Sequence, residues 1–141
     1  MNAAKLSMVL KNDLTELGNL SMQIEKFCNL QGISKRNTFK LNLVVDEVFT
    51  NIVSYGFSNQ KEHLIQIDIS IIGDELMIRI EDDGMPFDPT AIPENNLSCS
   101  LEDRQIGGLG LHLINRIMGS ITYERVLNKN VLILKKYLDK K

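Results

Sequence analysis

The sequence predicts an α+β protein, a two-layer sandwich whose mixed, mostly antiparallel sheet carries helices on one face. Three observations lead there. Ile65, Ile67, Ile69 and Ile71 alternate with Gln66, Asp68 and Ser70, and Leu76, Ile78 and Ile80 alternate with Met77, Arg79 and Glu81, the period-two pattern of half-buried strands. Two earlier segments instead space their apolar residues at helical intervals. The elements do not follow one another as β-α-β units, which argues against an all-parallel sheet. At 141 residues the chain fits one domain, 1–141, and a domain of this length can bury roughly 70% of its unfolded surface.

Taken in order, Leu6-Ser7-Met8-Val9-Leu10 is a short strand closed by Lys11-Asn12. Asp13 is a helix N-cap with Glu16 in capping-box position, and Leu17, Leu20, Ile24, Phe27 and Cys28 follow on one helical face. Gly32 ends that helix. Ser34 caps the next, in which Leu41, Val44, Val45, Val48, Ile52 and Val53 form a wide apolar stripe as far as Tyr55-Gly56. The two alternating strands come next, joined by Gly73-Asp74 as a hairpin turn with glycine first. From Met85 to Gly108 the pattern dissolves among Pro86, Pro89, Pro93, Asn95 and Asn96. That stretch exceeds the ~12 to 15 residues usual for a structureless connection, which marks it as functional or mobile. Leu109 to Met118 reads as a helix, and Ile121 to Val126 and Val131 to Leu138 as a final hairpin around Leu127-Asn128-Lys129-Asn130.

Composition excludes several functions. A net charge of −2 offers no general attraction for polyanions, so nucleic acid is a poor partner. No apolar run approaches the ~20 residues of a membrane span, and the N-terminus lacks the pattern of a secretory signal, so no membrane association and a cytoplasmic location are expected. Cys28 and Cys99 are far apart and have no histidine pair at zinc-binding spacing; Cys28 reads as a core residue and Cys99 as a loop residue. His112 reads as a packing or surface residue.

Three short stretches bear chemistry. Glu47 and Asn51 are four apart on the second helix, so their side chains share a face, with Tyr55 continuing the row. A lone pair of this kind ordinarily decorates a solvated face, but Val44, Val45, Val48, Phe49 and Ile52 leave little of this helix wet. Asn51 offers a neutral oxygen suited to a hard cation, and Glu47 a carboxylate able to orient or deprotonate a hydroxyl. Asp82 continues the inward row Leu76, Ile78, Ile80, where a carboxylate needs a donor. It either caps the turn at Gly84 or accepts from an exocyclic amine such as that of adenine, with Gly84 permitting close backbone approach. Gly107-Gly108-Leu109-Gly110 opens a helix whose free N–H groups can face an anion. It is neither a Walker A nor a Rossmann sequence.

Together, Asp46-Glu47-Val48-Phe49-Thr50-Asn51, Ile80-Glu81-Asp82-Asp83-Gly84-Met85-Pro86-Phe87-Asp88-Pro89 and Gly107-Gly108-Leu109-Gly110-Leu111-His112-Leu113-Ile114 resemble the N, G1 and G2 boxes of the GHKL (Bergerat-fold) ATPases. The match is closest to the bacterial anti-sigma-factor serine/threonine kinases. The resemblance implies an ATP and Mg²⁺ site in which Asn51 coordinates the metal, Glu47 is the catalytic carboxylate, Asp82 reads adenine, and Gly84, Gly108 and Gly110 shape the nucleotide pocket. It implies an ATP lid at about 86–107, with Arg104 the candidate for assisting the γ-phosphate. Pro86 departs from the second glycine of the D-x-G-x-G pattern, and Gly119 follows Met118 where an acidic residue is frequent. The partners implied are a sigma factor and an anti-anti-sigma protein of STAS type that accepts the phosphate, with a homodimer left open. The competing reading is a non-catalytic, ATP-dependent protein-binding adaptor. A histidine kinase is disfavoured, because no phospho-acceptor helix domain precedes the ATP site.

Overall fold

A computed structural model describes residues 3–57, 59, 61–86, 88 and 109–138. Its elements are β1 (Ala3–Lys11), a short 3-10 turn (Leu14–Glu16), α1 (Leu17–Leu30), α2 (Lys35–Tyr55), β2 (Leu64–Ile72), β3 (Glu75–Asp82), α3 (Leu109–Ile117), β4 (Ser120–Val126) and β5 (Lys129–Tyr137). The strands form one sheet in the order β1-β2-β3-β5-β4. The α+β sandwich is as expected. Among the described strands, however, every pairing is antiparallel, so the mixed component of the expected sheet is not found there.

Local chemistry explains where the elements start and stop. Asp13 accepts from Thr15 N at 3.0 Å and so caps the 3-10 turn, while Glu16 Oε2 reaches back to Lys11 N at 2.9 Å. The capping residues are therefore those expected, but they fasten the end of β1 to a tight turn, and α1 begins only at Leu17. At the other end of α1, Gly32 takes a φ of 71°, Gly32 N bonds Asn29 O at 3.2 Å and Ile33 N bonds Cys28 O at 2.9 Å, the paired bonds of a Schellman stop. Ser34 Oγ accepts from Asn37 N at 3.1 Å and caps α2.

One face of the sheet meets the helices. Across it, Met8, Ile67, Ile80 and Leu132 stand in register, as do Ile69, Ile78 and Leu134 in the neighbouring row. Leu20, Ile24, Phe27 and Cys28 of α1 and Leu41, Val44, Val45, Val48 and Phe49 of α2 close the core over these rows. Fully burying each such side chain contributes about 1.5–3 kcal/mol relative to leaving it in water. The same alternation carries a further row inward at the sheet's end: Asp82 pairs with Asn130, and Asn130 with Arg125.

The last hairpin differs from the sequence expectation. Its turn is the two-residue Leu127-Asn128, both at positive φ (49° and 66°), with Val126 facing Lys129. Lys129 and Asn130, expected in a loop, are strand residues. The tighter turn fits the right-handed twist of the strands, a match that outweighs the unsuitability of leucine for a left-handed conformation.

Candidate functional site

Between the end of α2 and the end of the sheet lies a cavity lined by Val48, Asn51, Ile52, Tyr55, Gly56, Asp82, Met85, Ile114, Tyr123, Asn130 and Leu132. The helical row 48, 51, 52 and 55 forms one wall because residues three and four apart share a face. Ile114, buried in α3, closes another side, and Leu132 of β5 lies on the sheet beneath. Val48, Ile52, Met85, Ile114 and Leu132 make much of the lining apolar, and the polar Asp82, Asn130 and Tyr123 are joined by hydrogen bonds.

Asp82 is the group that matters most there. It is 5% exposed, and its Oδ1 accepts from Gly84 N at 2.8 Å and from Asn130 Nδ2 at 3.0 Å. Among the described residues no hydrogen bond reaches Oδ2. Burial pushes the carboxyl above the usual aspartate range, opposed by the hydrogen bonds from Asn130 and Gly84. Of the two sequence readings of Asp82, the turn cap is seen directly, with Oδ1 accepting from Gly84 N.

The turn itself is held from several sides. Met85 N donates to Gly56 O at 2.7 Å, Asn130 Nδ2 donates to Met85 O at 2.9 Å, and Arg125 Nη1 donates to Gly84 O at 2.8 Å. All four backbone groups of Gly84 and Met85 are therefore bonded. A Cβ on Gly84 would lie 2.4 Å from Gly56 O and 2.9 Å from Asp82 Oδ1, so glycine is required by close approach of the chain's own backbone. Next door, Asp83 Oδ1 lies 3.0 Å from Nδ1 of His63, whose ring stacks on Phe57.

A helix end, a strand end bearing a buried carboxylate, and a hairpin that clamps the turn between them make a cradle around this cavity. Residues 10–136 match the histidine kinase-like ATPase domain. The chain belongs to that family.

Relatives of this chain include proteins named as kinases and as an anti-sigma factor. The serine/threonine-protein kinase BtrW of Bordetella bronchiseptica is 36% identical over 92 residues, 65% of this chain and 65% of that protein. The chain thus spans just under two thirds of BtrW. The serine-protein kinase RsbW of Listeria monocytogenes is 28% identical over 96% of this chain and 87% of its own length. The anti-sigma F factor of Clostridium kluyveri is 32% identical over 65% of each. Among solved structures, a blue-light activated histidine kinase of Erythrobacter litoralis EL346 superposes with a TM-score of 0.58 at 17% identity, covering 90% of this chain and 42% of that one, which speaks to the fold alone.

Within this histidine kinase-like ATPase cradle, Asn51 and Asp82 line one cavity, and Gly84 forms the turn at its edge. Glu47 sits one turn before Asn51, half-buried and outside the cavity lining; its charge adds to burial in pushing the neighbouring Asp46 carboxyl up. Gly110 lies in the first turn of α3. Gly108, Arg104, Cys99 and nearly all of the expected lid at 86–107 lie outside the described residues. Among the described residues no three His, Cys, Asp or Glu side chains gather as a metal cluster, and no helix is long and apolar enough to cross a membrane.

Sequence reasoning missed Tyr123, Arg125 and Asn130. Tyr123 OH donates to Asn130 Oδ1, and Arg125 Nη1 donates to the same oxygen at 3.1 Å. The signal was present: Asn130 stands two before Leu132 and four before Leu134, and Arg125 two after Tyr123, so period-two counting turns all of them toward the helices. Assigning residues 127–130 to a loop concealed it.

Proposed function

We propose that this chain is an ATP-dependent protein serine kinase that also binds and silences a sigma factor, with an anti-anti-sigma protein of STAS type as phosphate acceptor. The observation that carries the reading is the buried Asp82, with one oxygen committed to the fold and the other without a hydrogen bond among the described residues, in a largely apolar cavity that Asn51 also lines. The named relatives, kinases and an anti-sigma factor, support the same reading. The setting is the cytoplasm.

The residues present fit an adenine nucleotide. Val48, Ile52, Met85, Ile114 and Leu132 provide apolar faces for a base, and Asp82 provides an acceptor for its exocyclic amine. Asn51 would give Mg²⁺ a neutral oxygen, the remaining ligands coming from phosphate and water. When bound, Mg-ATP supplies the transferable phosphoryl group. The protein's part is positioning and charge placement. Glu47 orients the partner's serine hydroxyl and takes its proton; Gly110, in the first turn of α3, offers its backbone N–H to the phosphates, and the family resemblance gives Gly108 the same role. Arg104 is the candidate for the γ-phosphate.

The test is paired, because Glu47 lies outside the base cavity and its role separates from binding. Glu47→Ala should bind Mg-ATP nearly as well as the unaltered protein by calorimetry, while phosphate incorporation into the partner, read by mass spectrometry, falls roughly 10²-fold or more. If the unaltered protein binds a partner only with ATP yet transfers no phosphate, the kinase reading is wrong and the adaptor reading replaces it.

A further inference from the structure

We infer that Asn130 is a positioning residue that sets the base selectivity of this site, by fixing which oxygen of Asp82 faces the cavity. The inference rests on the nucleotide reading above and adds to it the residue responsible for discrimination.

Asn130 is 7% exposed and its amide is fully used. The two Nδ2 hydrogens go to Asp82 Oδ1 at 3.0 Å and Met85 O at 2.9 Å. Its Oδ1 accepts from the Tyr123 hydroxyl and from Arg125 Nη1. This pattern allows only one orientation of the amide. Turned over, the amide would point its NH₂ at two donors, Tyr123 and Arg125, and its oxygen at two acceptors, Asp82 and Met85. Arg125 is itself anchored on Gly84 O at 2.8 Å, so the amide oxygen is held by a guanidinium that offers donors only.

The consequence passes to Asp82. Asn130 Nδ2 and Gly84 N both end on Oδ1, which leaves Oδ2 as the oxygen available to the cavity. A lone ionised oxygen is an acceptor only. Opposite it, a purine bearing a 6-amino group gains a charge-assisted bond, whereas a 6-oxo purine presents a second acceptor and leaves a buried charge unpaired, the situation in which polar sites discriminate most strongly. Asn130 has no donor to spare for the ligand, so it acts through Asp82. Without it the carboxylate can rotate about its last bond and share Gly84 N between its oxygens, and the distinction between amine and carbonyl weakens.

The experiment compares ADP with IDP, which differ at the 6-position by amino against oxo, in calorimetric titrations of the unaltered protein, Asn130→Ala and Tyr123→Phe. The unaltered protein should favour ADP by about tenfold or more. Asn130→Ala should lose about tenfold in ADP affinity and little in IDP affinity, so that the ratio collapses. Tyr123→Phe, which removes one hydroxyl from the amide's holder, should shift the ratio part of the way. If Asn130→Ala fails to fold, Tyr123→Phe decides alone: a reduced ratio supports the inference and an unchanged one overturns it. Equal losses for both nucleotides would assign Asn130 a purely structural role and also overturn it. Should the unaltered protein bind both nucleotides alike, there is no selectivity for Asn130 to set and the inference is overturned; should it bind neither, the nucleotide reading itself falls.

Discussion

At the scale of single residues, Asp82 concentrates the energetics. Asp82→Ala removes a charge-assisted acceptor, which corresponds to about 1.5–3 kcal/mol or on the order of 10- to 150-fold in ADP affinity. Its protonation gives this a pH signature. The ionised carboxylate accepts most strongly, and a protonated Oδ2 would set an O–H donor against the amine. Burial raises the carboxyl above the ordinary 3.8, so ADP affinity should decline on acidification at a higher pH than the titration of an exposed aspartate would give. The sign for folding is opposite. A carboxyl whose folded value is raised favours the folded state below the unfolded value, and that contribution is lost as pH rises through the folded value. Titrations of ADP at descending pH check the first effect; an affinity flat through the acid range would contradict the assigned role. Asp82 was legible in the sequence because an acidic residue continuing an inward apolar row is conspicuous. Asn130 was not, since a polar residue beside a presumed turn attracts no notice until the turn is placed correctly.

At the scale of elements, the two hairpins show why one was read correctly and the other was not. Gly73-Asp74 announces its turn with glycine in the position that needs it, and Ile72 duly faces Glu75. Leu127-Asn128 uses a leucine at a φ of 49°, a conformation that costs an ordinary side chain roughly 1–2 kcal/mol. Nothing in its composition signals so tight a turn. Leu127 is 90% exposed, so no packing is lost when it is replaced. Leu127→Asn, or better the pair Asn-Gly at 127–128, should therefore stabilise the protein by about 1 kcal/mol in urea unfolding, with the slope unchanged. A loss of stability would mean that Leu127 is held by contacts the hairpin geometry does not suggest. The helices were the most legible elements, because Ser34, Gly32 and the apolar stripes of α1 and α2 each mark a boundary or a face; the start of α1 moved because Asp13 and Glu16 serve a 3-10 turn first.

At the scale of the whole molecule, the site draws on segments far apart in sequence: the end of α2, the end of β3, α3, and the β4–β5 hairpin. A ligand that bridges them binds only the folded chain. At a hundredfold excess over its Kd, ADP should stabilise the fold by about 2.7 kcal/mol and raise Tm by roughly 10 °C for a domain of this size, an increase that Asp82→Ala should largely remove. A melting curve indifferent to ADP would contradict the proposed site. The fully bonded turn at Gly84 and Met85 also bears on how this sequence can drift. Asp82, Gly84, Tyr123, Arg125 and Asn130 satisfy one another's donors and acceptors, so a change at any one leaves another with a buried group unmatched. Substitutions here are therefore expected to be strongly epistatic: a replacement harmful alone should be tolerated when its partner changes with it, which double-mutant cycles on Asn130 and Tyr123 would read as coupling, whereas changes on the surrounding surface should add independently.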